Sequence, residues 1–207
     1  MKNYEKIIIG LLAFMPLMGC SPENDIKIPE STTFAFYEQF NSFTEQTEGN
    51  SIALSGWTNF AEVGTVKWEE GYYNGTKYAE FTSYQSGQAT NIAWLVSPAI
   101  NMDIMDNETL AFDVAQAYVS SSSNSIDLLV STNYDGTNVL AANWQPLSFT
   151  KPPLDFDTNF DFFSSGLVDL SSYTGSIYLA FRCKGSGTNF SLDGTYELDN
   201  IRIFDKK

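Results

Sequence analysis

Ile177-Tyr178-Leu179-Ala180-Phe181-Arg182-Cys183-Lys184 decides the fold class of this chain. Ile177, Leu179, Phe181 and Cys183 recur at every second position, with Tyr178, Arg182 and Lys184 between them. A period of two belongs to a strand that buries one face, whereas a helix repeats its apolar side chains every three or four residues. Leu110, Phe112 and Val114 repeat the pattern upstream, as do Ile126, Leu128 and Val130. Further strands are expected at 34–40, 66–70, 77–82, 91–96 and 197–204. Turn formers punctuate them: Asn74-Gly75, Ser86-Gly87, the serine-rich stretch 120–125, Asp135-Gly136, Pro152-Pro153, the glycines of 185–187 and Asp193-Gly194. About nine or ten short strands with such spacing predict an all-β fold, an antiparallel β-sandwich of the jelly-roll kind. Residues 141–165, with three prolines, read as a long excursion over the surface.

Outward from these strands, the N-terminus reads as an address. Lys2 and Lys6 precede an almost unbroken apolar run over 7–18, too short to span a bilayer and of the length of a signal-peptide core. Leu17-Met18-Gly19-Cys20 resembles the bacterial lipobox. That resemblance implies a lipoprotein signal peptide over 1–19, with acylation of Cys20. An ordinary secretory signal followed by a chance cysteine is the alternative. Several acyl chains anchor stably where one is marginal. Residues 20–31, with two prolines and few apolar side chains, read as a tether, and 32–207 as one domain. Glu23 and Asp25 behind the lipid resemble an export signal, so the expected place is the outer membrane of a Gram-negative cell, lipid-anchored and facing outward. With Cys20 acylated, Cys183 has no disulfide partner and reads as a buried small hydrophobe.

Composition excludes more than it assigns. The 207 residues hold 25 acids against 11 bases, a net charge of −14, and no histidine. Removing 1–19 leaves 24 acids and 9 bases. Such a chain offers no basic surface for nucleic acid. It also lacks the imidazole needed for His-dependent triads and most zinc sites. Catalysis would have to run on carboxylates, for which the best local pair is Glu197 and Asp199 on one strand face. Sandwich glycosidases resembling concanavalin carry a third acid where Arg202 stands here, so no enzyme is expected.

Several segments carry a family resemblance. Phe36-Tyr37-Glu38-Gln39-Phe40, Gly56-Trp57-Thr58-Asn59, Trp94-Leu95-Val96-Ser97-Pro98-Ala99-Ile100, Ala180-Phe181-Arg182 and Tyr196-Glu197-Leu198-Asp199-Asn200-Ile201 are similar, in order, to choice-of-anchor J and cleaved-adhesin-like domains. The resemblance implies a jelly roll like those of MAM and carbohydrate-binding modules, in the galactose-binding or concanavalin-like class. It implies no single activity.

Candidate sites follow from chemistry. Sugars stack their C–H faces on exposed rings and hydrogen-bond to neighbouring polar groups. Tyr72, Tyr73, Tyr84, Tyr134 and Trp144 lie outside clear strand interiors, with Asn74, Gln85, Asp135 and Asn143 beside them, and are the expected ligand-binding rings. Trp57, Trp68 and Trp94 read as core. The function expected is a cell-surface binding module for glycan in a nutrient-uptake setting, or else a protein-binding adhesion or structural subunit. Alternation also places Glu38 inward with Phe34, Phe36 and Phe40, and Asp199 inward with Ile201 and Ile203. Buried unpaired carboxylates are costly. A structural calcium held by Glu38, Asp199 and Asn41 is therefore expected, unless a bulge turns one acid outward or Arg182 or Arg202 pairs with it.

Overall fold

The apolar alternation is realised as two antiparallel sheets packed face to face. A computed structural model describes residues 33–154 and 159–206. The signal peptide, Cys20 and the tether lie outside the described residues. In chain order the strands are β1 Phe34–Glu38, β2 Thr58–Val63, β3 Glu69–Tyr73, β4 Thr76–Phe81, β5 Asn91–Val96, β6 Ile100–Asn101 and β7 Glu108–Ala117. They continue with β8 Ser125–Ser131, β9 Gln145–Leu147, β10 Phe163–Ser164, β11 Val168–Asp169, β12 Ser176–Gly185 and β13 Thr195–Asp205. The only helical element among the described residues is a 3-10 turn at Val139–Ala141.

The first sheet runs β10-β7-β13-β4-β3, with β1 also on β13 and β11 on β7; the second runs β2-β5-β12-β8-β9, with β6 on β12. Long central strands therefore carry two short partners end to end on one edge. β13 pairs with β4 through Tyr196–Leu198 and with β1 through Ile201–Phe204.

The core is what alternation predicts. Leu110, Phe112, Val114 and Leu198 of the first sheet meet Leu128, Val130, Leu179 and Phe181 of the second, all fully or almost fully buried. Phe112 and Phe181 bridge the sheets edge to face, with centroids 5.1 Å apart, the arrangement the ring quadrupoles favour. Cys183 is a free, buried thiol in this core, and burial holds its pKa well above the usual thiol value.

A second apolar cluster lies on the outer side of the second sheet. Ile92, Trp94 and Val96, the opposite face of β5, pack with Tyr134, Val139 and Ala180. Glu62 closes its edge, accepting hydrogen bonds from the Trp94 indole N–H at 2.8 Å and the Arg182 Nε at 3.0 Å. The Arg182 guanidinium lies over the Trp94 ring, 5.4 Å from its centroid. Burial would raise the Glu62 pKa, but the donors outweigh it and hold it below the usual value.

Four expectations need correction. The strand expected at 66–70 is β3, three residues later, because Asn74 and Gly75 both have positive φ (48° and 87°) and pin a two-residue hairpin to β4. β2 went unpredicted; it is half-buried on both sides and shows no alternation. The excursion over 141–165 contains β9 and β10. β1 does not keep one inward face: its register shifts between Phe34 and Phe36. Phe34 is consequently exposed and stacks on Tyr37 at 4.9 Å, while Phe36 packs against Trp57.

Candidate functional site

Strand parity directs Tyr78 and Glu80 of β4, Thr195, Glu197 and Asp199 of β13, and Asp113 of β7 to the face of the first sheet opposite the core. Register aligns Glu69 with Glu80 and Glu80 with Glu197. Three carboxylates thus stand in a row across β3, β4 and β13. Like charges directly opposite one another oppose pairing, so the row favours holding protons. Burial, then the neighbouring Glu69 and Glu48, pushes the Glu80 pKa up to about 7. Burial, then Glu80, pushes Glu197 up to about 8, although a hydrogen bond from the Tyr78 hydroxyl works the other way. A protonated carboxyl both donates and accepts, and so can meet either end of a ligand hydroxyl.

The Tyr78 ring owes its position to Gly71, its cross-strand partner, where a Cβ would run into the ring. Phe162 packs against the same ring at 6.2 Å.

Thr82 and Thr195 carry this face to the loop end. There, with Tyr84, Tyr118, Phe190 and Asp193, they line a cavity of about 400 Å³. Tyr84, Tyr118 and Phe190 are 55%, 49% and 77% exposed. Three glycines bring the loops together. A Cβ at Gly185 or Gly187 would strike Ser83 or Ser86, and one at Gly194 would strike Val119 and the Ala117 carbonyl. Tyr118 holds φ at 61° and contacts Phe160, itself at 64°, edge to face at 6.3 Å. Bulky residues rarely occupy that region, and strain of this kind gathers at functional sites.

The five expected ligand-binding rings divide among three places. Tyr84 lies in the loop-end cavity. Tyr72 and Tyr73 are the last two residues of β3, beside the hairpin, half-buried and exposed respectively, and lie apart from the loop-end cavity lining. Tyr134 is corrected more strongly. It is buried in the outer cluster of the second sheet, with its hydroxyl 3.1 Å from the Thr58 hydroxyl, and offers no face to a ligand. Trp144 packs there against Trp94 and Tyr134 at 5.5 and 5.7 Å, and its indole N–H donates to the Val139 carbonyl at 2.8 Å. Tyr118, Phe190 and Asp193 were missed. A lone phenylalanine among Ser, Thr, Asn and Gly was the available signal for Phe190; Asp193-Gly194 was visible only as a turn.

The expected calcium ligands fit in part. Burial, then the Asp113 and Glu38 carboxylates, raises the Asp199 pKa to about 6, despite a hydrogen bond from the Asn200 N–H. Glu38 is turned back on its own chain, accepting the Phe40 N–H at 2.7 Å. The expectation that Asp199 points inward with Ile201 and Ile203 is corrected: a bulge between Asp199 and Arg202 breaks the alternation and leaves Asp199 on the face opposite the core, where Arg202 approaches Asp113 at 3.9 Å. Asn41 does not fit: it is exposed, and its carbonyl oxygen already takes the Lys77 ammonium at 2.6 Å. Among the described residues no group of three or more His, Cys, Asp or Glu is arranged to hold a metal.

No protein-family model matches the chain, and no curated protein is similar to it in sequence. Solved structures are similar. One cleaved adhesin domain of Lys-gingipain superposes with a TM-score of 0.54 at 16% identity, covering 83% of this chain and 99% of that one. Another, from Porphyromonas gingivalis, gives 0.50 at 19%, covering 83% and 98%. The CBM22-2 xylan-binding domain of Paenibacillus barcinonensis Xyn10C gives 0.48 at 10%, covering 83% and 99%. The likeness to the adhesin domains establishes an adhesin-like jelly-roll fold and nothing finer.

Proposed function

We propose that this protein is a cell-surface binding module for glycan, anchored through Cys20, that receives its ligand at the aromatic loop end of the first sheet. The observation that carries the reading is the cavity itself: three exposed rings, two threonines and an aspartate line one space. Rings take the C–H faces of sugars and the polar groups take their hydroxyls. The adhesin-like fold is compatible with this role. The test is a glycan array with the detergent-solubilised protein, followed by titration of any hit against Tyr84→Ala and Phe190→Ala. Each substitution is expected to weaken binding by about 1–2 kcal/mol, roughly ten-fold, without lowering thermal stability. Binding that survives both substitutions unchanged places the ligand elsewhere.

We also propose, on a narrower observation, that Glu38 and Asp199 hold a structural calcium, the crowding of Asp113 and Glu38 around Asp199 being its support. The ion would relieve carboxylate repulsion between the first and last strands. Calcium should then raise the melting temperature of metal-free protein, and Asp199→Asn should erase the increment.

A further inference from the structure

The acid that lines the loop-end cavity, Asp193, has no counter-ion among the described residues. Asp193 is only 9% exposed and lines the cavity with the three rings. Among the described residues its carboxylate takes no hydrogen bond except from its own amide, and no cation reaches it. Lys151, Arg182 and Arg202 are engaged with Asp127, Glu62 and Asp113, and the Lys77 ammonium is on Asn41. A carboxylate set into a recess and facing its cavity unpaired favours an opposite charge there. A hydroxyl would satisfy one of its lone pairs and leave the charge in place; an ammonium would neutralise it. Aromatic rings around a cation add to the attraction, and a chain of net charge −14 draws cations toward it.

We propose that this cavity takes an amino sugar with a free amine, the protonated amine seated on Asp193 among Tyr84, Tyr118 and Phe190. The inference rests on the glycan reading and narrows it. Thr82 and Thr195 line the same cavity as the acid, and threonines sharing a space with a carboxylate suit a sugar ring, which carries hydroxyls next to its amine. A lysine side chain brings only methylenes there.

Titration calorimetry of the full chain slightly below neutral pH tests it with four probes: a β-1,4-linked glucosamine tetramer, its N-acetylated counterpart, the neutral glucose tetramer of the same linkage, and tetralysine. The glucosamine tetramer is expected to bind about ten-fold or more tighter than the other two sugars, and Asp193→Asn to abolish that preference. A melting curve of the variant matching the parent shows that the loss is not unfolding. Equal binding of all three sugars, unaffected by Asp193→Asn, overturns the amine proposal and leaves the glycan reading standing. Tetralysine binding with no sugar bound overturns both, whereas silence from all four probes overturns the amine proposal alone, the glycan array deciding the wider reading.

Discussion

Glu80 shows how one side chain's surroundings set a property of the whole fold. Glu69, Glu48, Glu197 and the Tyr78 hydroxyl surround it, and its pKa rises from an ordinary 4.5 to about 7 because burial and its acidic neighbours all disfavour its charge. A folded-state pKa above the unfolded value means that the folded chain holds the extra proton. The stabilisation is therefore complete below about 4.5 and is lost as pH rises through about 7. Glu80→Gln keeps the hydrogen-bonding capacity and removes the titration. The variant is expected to melt above the parent at about pH 8 and close to it at about pH 5, where Glu80 is already mostly protonated. A parent and variant that differ equally at both pH values would show that Glu80 is not the titrating group. Asp199, on the same face, is also raised, to about 6; for that reason the test compares parent with variant rather than reading the slope of either alone.

At the scale of elements, β3 and β4 form a hairpin whose packing depends on an absent side chain. Gly71 lies directly opposite Tyr78, and the ring fills the space a Cβ would need. Gly71→Ala should displace the ring, loosen its hydrogen bond to Glu197 and cost about 1–3 kcal/mol, read from denaturant unfolding. An unchanged midpoint would mean that the ring relaxes freely. The same elements show what the sequence could disclose. β12 was legible because one of its faces is wholly core, so Ile177, Leu179, Phe181 and Cys183 keep strict alternation. β2 was not, because Phe60 packs into the outer cluster while the Asn59 amide turns inward, its Nδ2 donating to the Trp68 carbonyl and its Oδ1 accepting the Trp68 N–H. Tyr134 and Trp144 misled for a related reason: a ring in a polar loop reads as exposed, and only the tertiary fold reveals that Trp94 lies beneath it. The loop-end cavity draws Tyr84, Tyr118 and Phe190 from three separate connections, and no local pattern links them.

For the molecule as a whole, neither charge nor apolar surface offers a hold on a membrane, so the anchor we propose at Cys20 would have to supply it. The part beyond residue 19 carries 24 acids against 9 bases, and a surface so acidic is repelled by anionic headgroups rather than held by them. Among the described residues no helix is long and apolar enough to cross a membrane. Among the described residues, large exposed apolar side chains occur at separate places, Tyr73 on the β3–β4 hairpin, Phe34 and Tyr37 on β1, and Tyr84, Tyr118 and Phe190 around the loop-end cavity, which the proposed function assigns to a ligand. Membrane residence on this reading falls to the acyl chains on Cys20, each buried methylene contributing about 0.8 kcal/mol. Cys20→Ala should therefore abolish incorporation of labelled fatty acid and release the protein from the membrane fraction, while the Phe112–Phe181 core and hence the melting temperature of the domain stay as they were. Fractionation of the variant beside the parent decides the matter. Continued sedimentation with membranes, with the label gone, would assign retention to a protein partner; retention of the label itself would show that another residue is acylated.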